Sequence, residues 1–514
     1  MSLVRSVALA ALGCLLSTVC SAQALPDAQT GNAWFDAAAR TLAQKLAAPP
    51  ADARARNVIL FVGAGMGVST LTAARILEGQ RRGEPGEENL LWFERFAHTA
   101  LVKTYTVDAQ VPDTAGAMTA LLSGVKSKVG LLGLDADAVR GDCASMAGNE
   151  LVSAVELAEL GGIATGIVTS GRLTEAGTAA AYATTPDRDW EDDVGLPVSA
   201  ASDGCEDIAR QLVSFQPRVQ ARHGRTIDGI DVAMGLGRER FVPASGGVAS
   251  GAGDDDGSAV GRRRDGRHLL DEWQARYPQG QLVSDADALA SASRTPLLAL
   301  FDTMADVPTL EAMTRQAIAL LAPDPQGYLL IVVADDIGQG HADGQAAAAL
   351  DATIALSQAV RTADALTDDA DTLILVTADH GHGLTIGGYP ARGNAILGKV
   401  VSRAGTPPVR AADGLPYTTL GYAGGRGSGQ GGAADTDSPP GRVDLAEIDT
   451  TASTFRQASL VPLAATEPSG EDVALHAAGP GADRVYGVIE QNVVFHVMQR
   501  ALQLYELRMP EEGP

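Results

Sequence analysis

Residues 57–62 (NVILFV) form a continuous apolar run that leads into a glycine-rich turn at residues 63–67 (GAGMG). A short apolar run without polar alternation is typical of a strand that is buried on both faces of a parallel sheet. In α/β enzymes, a glycine-rich turn between such a strand and a helix brings ligand-binding groups to the carboxyl edge of the sheet. The stretch therefore predicts an α/β fold with a site at that edge.

Similar apolar runs recur along the chain and alternate with stretches of helical length. The runs are residues 164–168, 328–333 and 371–377, and the longest helical stretch is residues 346–366. This alternation is the pattern of a mostly parallel central sheet covered by helices on both faces. The 514 residues are compatible with one large α/β domain that carries insertions.

The N-terminus has the features of a secretory signal. Arg5 lies near the start, residues 7–19 are apolar, and Ala22-Gln23-Ala24 provides small residues at a cleavage site. The apolar run is too short to span a membrane. We therefore predict a signal peptide over residues 1–24 and an exported protein, periplasmic or secreted. A buried N-terminal helix and a lipid anchor at Cys20 are the alternatives.

Charge and cysteine content narrow the range of partners. The formal net charge of −24 repels nucleic acid phosphates and anionic lipid surfaces, so neither nucleic acid nor a membrane is expected as a partner. After removal of the signal, Cys143 and Cys205 are the cysteines that remain. In an oxidising compartment, two cysteines most simply form one disulfide.

Two segments rich in Gly, Asp and Pro interrupt the α/β pattern. Residues 246–266 predict a flexible exposed loop, and residues 424–441 predict a second one. A calcium site at residues 254–256 (DDD) is an alternative to a solvated loop, but the spacing of an EF-hand is absent from the sequence.

Five further motifs follow the GAGMG turn in a fixed order. They are VPDTAG at residues 111–116, GIVT at 166–169, DRDW at 187–190, VTADHGH at 376–382 and SGEDV at 469–473. In this order and spacing the set resembles the alkaline phosphatase family, from about residue 57 to about residue 504. The resemblance implies that family's fold, a mostly parallel central sheet with helices on both faces, and a homodimer.

The resemblance also implies a division of the chain. A single phosphatase-like domain is expected over residues 56–505, with a crown-like insertion at about residues 405–465. An N-terminal extension would precede it at residues 25–55, and a tail would follow at residues 506–514.

Three residues are predicted to handle phosphate. Thr114 follows Asp113 at the predicted start of a helix, where free N–H groups and the helix dipole favour a phosphoryl group. In the family this position carries the nucleophile, usually serine, so the resemblance implies that role for Thr114. Arg188 would clamp two phosphate oxygens with its planar fork. From the residues alone, Thr114 also fits a capping threonine and Arg188 a surface arginine.

Alkaline phosphatases resemble one another in using two zinc ions and one magnesium ion. The zinc ions activate the nucleophile and the hydrolytic water. In this chain Asp379, His380 and His382 follow a buried strand and form the residual metal site that the resemblance implies. A strand end without metal is the alternative.

Six other positions that hold metal ligands in the family have no coordinating side chain here. They are the magnesium and second-zinc positions Ala64, Gly177 and Val333, and the first-zinc positions Gly338, Ala342 and Pro468. Stable zinc sites use three or four protein ligands. We therefore expect no bound metal, or at most one weakly bound zinc.

Two functions follow from this pattern. The first is a catalytically inactive or strongly impaired member of the family that binds phosphate or a phosphomonoester, or that interacts with a partner. The second is an active phosphomonoesterase that uses Thr114 with displaced metal ligands. The candidates for displaced ligands are Asp335, Asp336, His341, Asp343 and Glu467.

Overall fold

The computed structural model describes residues 25–46, 54–244, 261–427 and 442–505. The predicted signal sequence, the tail at 506–514, most of the predicted loop 246–266 and part of the segment 405–465 therefore lie outside the described residues.

The strands in the described residues form one large sheet and one small one. They are β1 (Asn57–Gly63), β2 (His98–Lys103), β3 (Ala164–Arg172), β4 (Val232–Leu236), β5 (Gln281–Val283), β6 (Leu297–Phe301), β7 (Tyr328–Ala334), β8 (Thr372–Ala378), β9 (Leu384–Ile386), β10 (Leu420–Gly425), β11 (Ser459–Pro462), β12 (Val473–Ala478) and β13 (Gly487–Glu490).

The large sheet has ten strands in the order β13-β2-β12-β8-β1-β7-β3-β4-β6-β5. Strand β12 is antiparallel to both of its neighbours, and the other strand pairs of this sheet in the described residues are parallel. The prediction of a mostly parallel central sheet is thus confirmed. Gly63 pairs with Ala334 on one side and with Ala378 on the other, so three strands end at the same edge.

Helices connect the strands. They are α1 (Ala33–Leu46), α2 (Val68–Arg81), α3 (Thr114–Ser123), α4 (Ala154–Leu160), α5 (Ala176–Ala179), α6 (Val198–Ser202), α7 (Ile208–Val213), α8 (Phe215–His223), α9 (Leu269–Arg276), α10 (Ala286–Ser291), α11 (Leu310–Leu321), α12 (Asp335–Ala342), α13 (Ala346–Leu366) and α14 (Val493–Leu502).

The helices form two groups that pack on the same central strands. One group joins α2, α11, α12 and α13, and the other joins α1, α3, α4 and α14. Both groups contact β1 and β7, so they cover opposite faces of the sheet. Every residue of β1, β7 and β8 is buried as a result, which explains why these strands lack the polar alternation of a half-exposed sheet.

A disulfide and a small second sheet lie at the periphery of the fold. Cys143 and Cys205 form the predicted disulfide, with their Cα atoms 6.0 Å apart. The three-stranded sheet has the order β11-β10-β9, and β10 and β11 belong to the segment expected to form the crown-like insertion. Among the described helices, none is both long enough and apolar enough to cross a membrane.

Candidate active site

The predicted site residues lie where β1, β3, β7 and β8 end. The GAGMG turn follows β1, the segment from Asp379 to His382 follows β8, and α12 begins directly after β7. Thr169 near the end of β3 pairs in register with Val333 of β7. Because parallel strands present their carboxyl ends at one edge, residues far apart in sequence meet there.

Thr114 is the first residue of α3, as predicted. Asp113 caps the helix, because its Oδ1 atom accepts a hydrogen bond of 3.0 Å from the backbone N–H of Gly116. The capping role therefore belongs to Asp113, and the Thr114 hydroxyl is left for other partners. That hydroxyl lies at the positive end of the helix dipole, a location that favours an anion.

Asp113 also holds Arg188 beside the helix start. The Oδ2 atom of Asp113 accepts hydrogen bonds of 3.0 Å from Nη1 of Arg188 and 3.1 Å from the backbone N–H of Gly130. The Arg188 side chain is 31% exposed, so its guanidinium can reach a ligand in the cleft. A bidentate fork held in this way is suited to two phosphate oxygens.

His380 faces the Thr114 hydroxyl. Its Nε2 atom lies 3.2 Å from Oγ1 of Thr114, and its Nδ1 atom lies 2.8 Å from the carbonyl oxygen of Gly381. Because a carbonyl only accepts, the hydrogen of a neutral ring belongs on Nδ1. Nε2 then accepts a hydrogen bond from the threonine hydroxyl.

The carboxylate of Asp379 is held on one side only. Oδ1 accepts hydrogen bonds of 2.8 Å from the backbone N–H groups of Gly65 and His380. Oδ2 is buried and has no hydrogen-bond partner among the described residues, although Nε2 of His380 lies 3.3 Å away. Such an unsatisfied buried oxygen is a candidate metal ligand.

His382 lies beside this pair, with its ring centroid 5.8 Å from that of His380. Its ring stacks on His341 with the ring centroids 5.4 Å apart, and its Nε2 atom lies 3.3 Å from the carbonyl oxygen of Thr466. Its Nδ1 atom has no partner among the described residues. Burial lowers the pKa of His382 to about 4. Asp379, His380 and His382 do not form a three-residue group arranged to hold a metal ion in the described part of the chain.

His341 is held by two other side chains. It is fully buried, with Nε2 3.0 Å from Oγ1 of Thr70 and Nδ1 2.8 Å from the hydroxyl of Tyr422. Burial holds its pKa well below the usual range for histidine. Because both ring nitrogens are engaged, His341 has no free nitrogen for a metal.

The acidic candidates for displaced ligands also have separate partners. Asp335 accepts a hydrogen bond of 2.5 Å from the hydroxyl of Thr169. Asp336 accepts one of 2.6 Å from the hydroxyl of Ser170. The Asp343 carboxylate accepts a bond of 3.0 Å from the side chain of Gln339 four residues earlier, and Glu467 is exposed.

Ala64 and Gly338, two positions predicted from the resemblance to have lost a metal ligand, are neighbours. A Cβ atom on Gly338 would lie 3.1 Å from the Cβ atom of Ala64. Two residues without coordinating atoms therefore face each other at the end of β1. Beyond them, the backbone carbonyl of Ala342 accepts a hydrogen bond from Thr466, and Pro468 is half-buried next to the bridge between Gly381 and Ser469.

At Gly177, which the resemblance predicts as a magnesium position without its ligand, Asp335 occupies the adjacent space. A Cβ atom on Gly177 would lie 3.0 Å from Oδ1 of Asp335 and 3.1 Å from Cγ1 of Val333. The carboxyl of Glu175 lies on the other side, where a Cβ atom on Gly171 would be 2.6 Å from it. Burial raises the pKa of Asp335 well above its usual range and also raises that of Glu175.

Sequence reasoning missed one acidic residue of the cleft. The Glu471 carboxylate covers Gly67 and Gly381, because a Cβ atom on either glycine would collide with it. Burial raises the pKa of Glu471, and nearby His380 opposes that effect. The signal was present in the SGEDV motif, but only the fold brings that motif next to the GAGMG turn.

These donors do not fit the two zinc ions and one magnesium ion of alkaline phosphatases. The described residues contain no group of three or more His, Cys, Asp or Glu side chains arranged to hold a metal ion. Asp379, His380 and the Thr114 hydroxyl converge, but a stable zinc site needs three or four protein ligands in tetrahedral geometry. Two side chains and a hydroxyl therefore fall short of the ligand set that the family uses.

Fold and site together define an α/β protein with a threonine hydroxyl at a helix start, on the carboxyl edge of its sheet. The alkaline phosphatase family model matches residues 55–504 of the chain. The chain therefore belongs to the alkaline phosphatase family. Human tissue-nonspecific alkaline phosphatase is 38% identical over 486 residues, which cover 91% of this chain and 88% of that protein. The alkaline phosphatase of Gadus morhua is 38% identical over 485 residues, which cover 91% of this chain and 96% of that protein.

Solved structures agree on the fold. The alkaline phosphatase of Thermus thermophilus has a TM-score of 0.60 at 22% identity, with 88% of this chain and 92% of that chain covered. The alkaline phosphatase of the Antarctic bacterium TAB5 has a TM-score of 0.58 at 19% identity, with 88% and 100% covered.

Proposed function

We propose that this chain is an exported alkaline phosphatase homologue that binds phosphate or a phosphomonoester and has lost most or all metal-dependent hydrolysis. The observation that carries the proposal is the contact between Ala64 and Gly338, where neighbouring metal positions both lack a ligand. With Gly177, Val333, Ala342 and Pro468 added, all three metal positions of the family lack side-chain ligands.

The groups for binding phosphate are retained. Arg188 is held by Asp113, and the first turn of α3 has its N–H groups at the cleft. An oxyanion there would receive hydrogen bonds from the guanidinium and from the helix start. Binding of this kind requires no metal, so it survives the loss of the metal ligands.

The residual chemistry centres on Thr114 and His380. With the hydrogen on Nδ1, the ring of His380 orients the Thr114 hydroxyl towards Nε2. Hydrolysis of a phosphothreonine intermediate would still need an activated water, which zinc supplies when bound. In the described residues, the side chains near Asp379 do not form a metal site that could activate this water.

An active phosphatase with displaced ligands is the competing hypothesis. It requires at least three of the acidic and histidine candidates to converge within roughly 2.0–2.3 Å of one point. The separate partners of Asp335, Asp336 and His341 argue against that convergence. The matched relatives are named alkaline phosphatases, which favours an active enzyme. One of these relatives, purified in parallel, is the positive control.

The decisive experiment measures metal content and turnover of the mature protein. We expect substoichiometric zinc, and hydrolysis of p-nitrophenyl phosphate at background level with zinc and magnesium added. Full zinc loading together with turnover would establish the competing hypothesis.

A second measurement tests the binding half of the proposal. Calorimetric titration with inorganic phosphate should show binding that Arg188→Ala weakens by about tenfold or more. Arg315→Ala removes the same charge from an exposed ion pair on α11 and should leave phosphate binding unchanged. Equal affinity in all three proteins would refute the assignment of Arg188.

Export and assembly are separate parts of the proposal. Cell fractionation of the full chain should place the protein outside the cytoplasm, and deletion of residues 1–24 should retain it inside. Light scattering of the mature protein tests the homodimer that the family leads us to expect.

A further inference from the structure

A cavity of about 40 Å³, lined by both polar and apolar groups, lies behind α3, at the half of that helix remote from Thr114. Helices α3, α4 and α8 and residues 180–184 line it. The polar and charged side chains that the argument uses are Thr119, Ser123, Ser153, Glu156, Arg218 and Arg222. The cavity is thus separate from the cleft that holds Arg188.

Arg218 brings a positive charge to this cavity without a matching carboxylate. Its Nη2 atom donates to the carbonyl oxygens of Tyr182, at 2.6 Å, and Gln211, at 3.3 Å. Its Nε atom is buried and has no acceptor among the described residues. Burial lowers the pKa of Arg218, as expected for a cation that lacks a close counter-charge.

The one carboxylate in the lining is already occupied. Oε1 of Glu156 lies 2.6 Å from Nε2 of His223 and 3.6 Å from Nη1 of Arg222. No carboxylate of the described residues lies within ion-pair distance of Arg218. Two guanidinium groups of the lining therefore face a single lining carboxylate, and Glu206, whose charge also acts on Arg218, is paired with Arg210.

Hydroxyl groups complete the lining. The Ser153 hydroxyl donates to the carbonyl oxygen of Ala181 at 2.7 Å, and the Ser123 hydroxyl donates to the carbonyl oxygen of Thr119 at 2.7 Å. A cavity of this volume holds roughly three water-sized atoms. It therefore suits a small inorganic anion better than an organic phosphate ester.

We propose that Arg218 and the back of α3 form a binding site for a small inorganic anion of the size of chloride. The anion would accept from the Arg218 guanidinium and compensate its charge, because no carboxylate of the described residues lies within ion-pair distance of it. Because the cavity joins α3 to α4 and α8, the bound anion stabilises the helix whose first residue is Thr114.

Thermal unfolding of the mature protein tests the site. At equal ionic strength, sodium chloride should raise the unfolding midpoint over sodium gluconate in a saturable way, by about 2–4 °C. Arg218→Gln should abolish this difference. Arg315→Gln, which removes the same charge at the surface, should retain it. Equal midpoints in the two salts, or a difference that persists in Arg218→Gln, would overturn the proposal.

A structural measurement covers the case in which Arg218→Gln fails to fold. Crystals of the unaltered protein soaked in bromide should show an anomalous peak within hydrogen-bond distance of the Arg218 guanidinium. A peak elsewhere only, or none, would rule the site out. The chloride effect should persist in Arg188→Ala, so its outcome is independent of phosphate binding in the cleft.

Discussion

Ala64 and Gly338 face each other at the carboxyl edge of the sheet, where a Cβ atom on Gly338 would lie 3.1 Å from the Cβ atom of Ala64. By resemblance, the two positions belong to different metal sites of the family. Under the proposed loss of metal ligands, these two positions are neighbours in space. A change at one position alone would therefore leave its neighbour without a ligand.

Restoring one ligand should not restore activity. Ala64→Asp adds a carboxylate beside Asp379, whose Oδ2 atom already lacks a partner among the described residues. A second buried carboxylate without a cation costs free energy, and we expect a loss of stability of about 1–3 kcal/mol. Turnover of p-nitrophenyl phosphate should stay at background with zinc added. Turnover well above that of the unaltered protein would show that the other metal positions are less damaged than proposed.

Restoring the magnesium hydroxyl should meet a steric obstacle. In Gly177→Ser the new Cβ atom would lie 3.0 Å from Oδ1 of Asp335, which is tighter than ordinary van der Waals contact. We expect destabilisation of about 1–3 kcal/mol, measured by urea unfolding. Asp335→Ala in the same chain should relieve part of it, so that the two changes are coupled.

The matched control for this experiment is Gly387→Ser. Gly387 is exposed, and a Cβ atom there would meet no atom within 4 Å. Its substitution should change stability by less than about 0.5 kcal/mol. Equal effects at residues 177 and 387, or strict additivity with Asp335→Ala, would contradict the proposed crowding.

Much of the sheet could be predicted from the sequence. The apolar run at residues 328–333 corresponds to β7, and the predicted helix at residues 346–366 has the same bounds as α13 (Ala346–Leu366). Strand β7 is continuously apolar and α13 is long and rich in Ala and Leu, so the local pattern of both is strong. The order of the strands depends on pairings between distant residues, which no local pattern specifies.

The directions of side chains could not be predicted. His382 follows Asp379 by three residues, yet it stacks on His341 instead of joining the aspartate. His341 looked available as a ligand, but Thr70 and Tyr422 occupy both ring nitrogens. Thr70 belongs to α2 and Tyr422 to β10, and both elements are remote from His341 in sequence. Their hydrogen bonds to His341 therefore form only after the chain has folded.

The disulfide should contribute strongly to stability. Cys143 and Cys205 are separated by 62 residues, and closing a loop of that length lowers the entropy of the unfolded chain. The chain-entropy relation gives roughly 4 kcal/mol. We expect the free energy of unfolding of the variant Cys143→Ser/Cys205→Ser, measured by denaturant titration, to be lower by that amount. Adding a reductant should weaken the unaltered protein and leave the double variant unchanged, and insensitivity of both would refute the prediction.

Two buried carboxyl groups near the amino ends of β3 and β4, those of Glu159 and Asp231, should make the stability of the protein depend on pH. Glu159 accepts hydrogen bonds from the hydroxyl of Thr165 at 2.5 Å and from the backbone N–H of Gly229 at 3.0 Å. Asp231 accepts one of 2.9 Å from the backbone N–H of Thr165. Burial, with the nearby carboxylates adding to it, raises the pKa of Glu159 to about 8 and that of Asp231 to about 7. The charged side chains near them, Asp228 and Asp324, are also acidic.

The sign follows from proton binding. Between about pH 4 and pH 8 the folded protein holds protons on these two carboxyls that the unfolded chain has released, so stability falls as pH rises through that window. Glu159→Gln removes one of the two titrations. The free energy of unfolding of this variant, relative to the unaltered protein, should therefore rise by roughly 2–4 kcal/mol between about pH 5 and pH 9. Asp203→Asn, at an exposed position, is the control and should show no such change. Parallel pH profiles for Glu159→Gln and the unaltered protein would show that Glu159 does not titrate in this window.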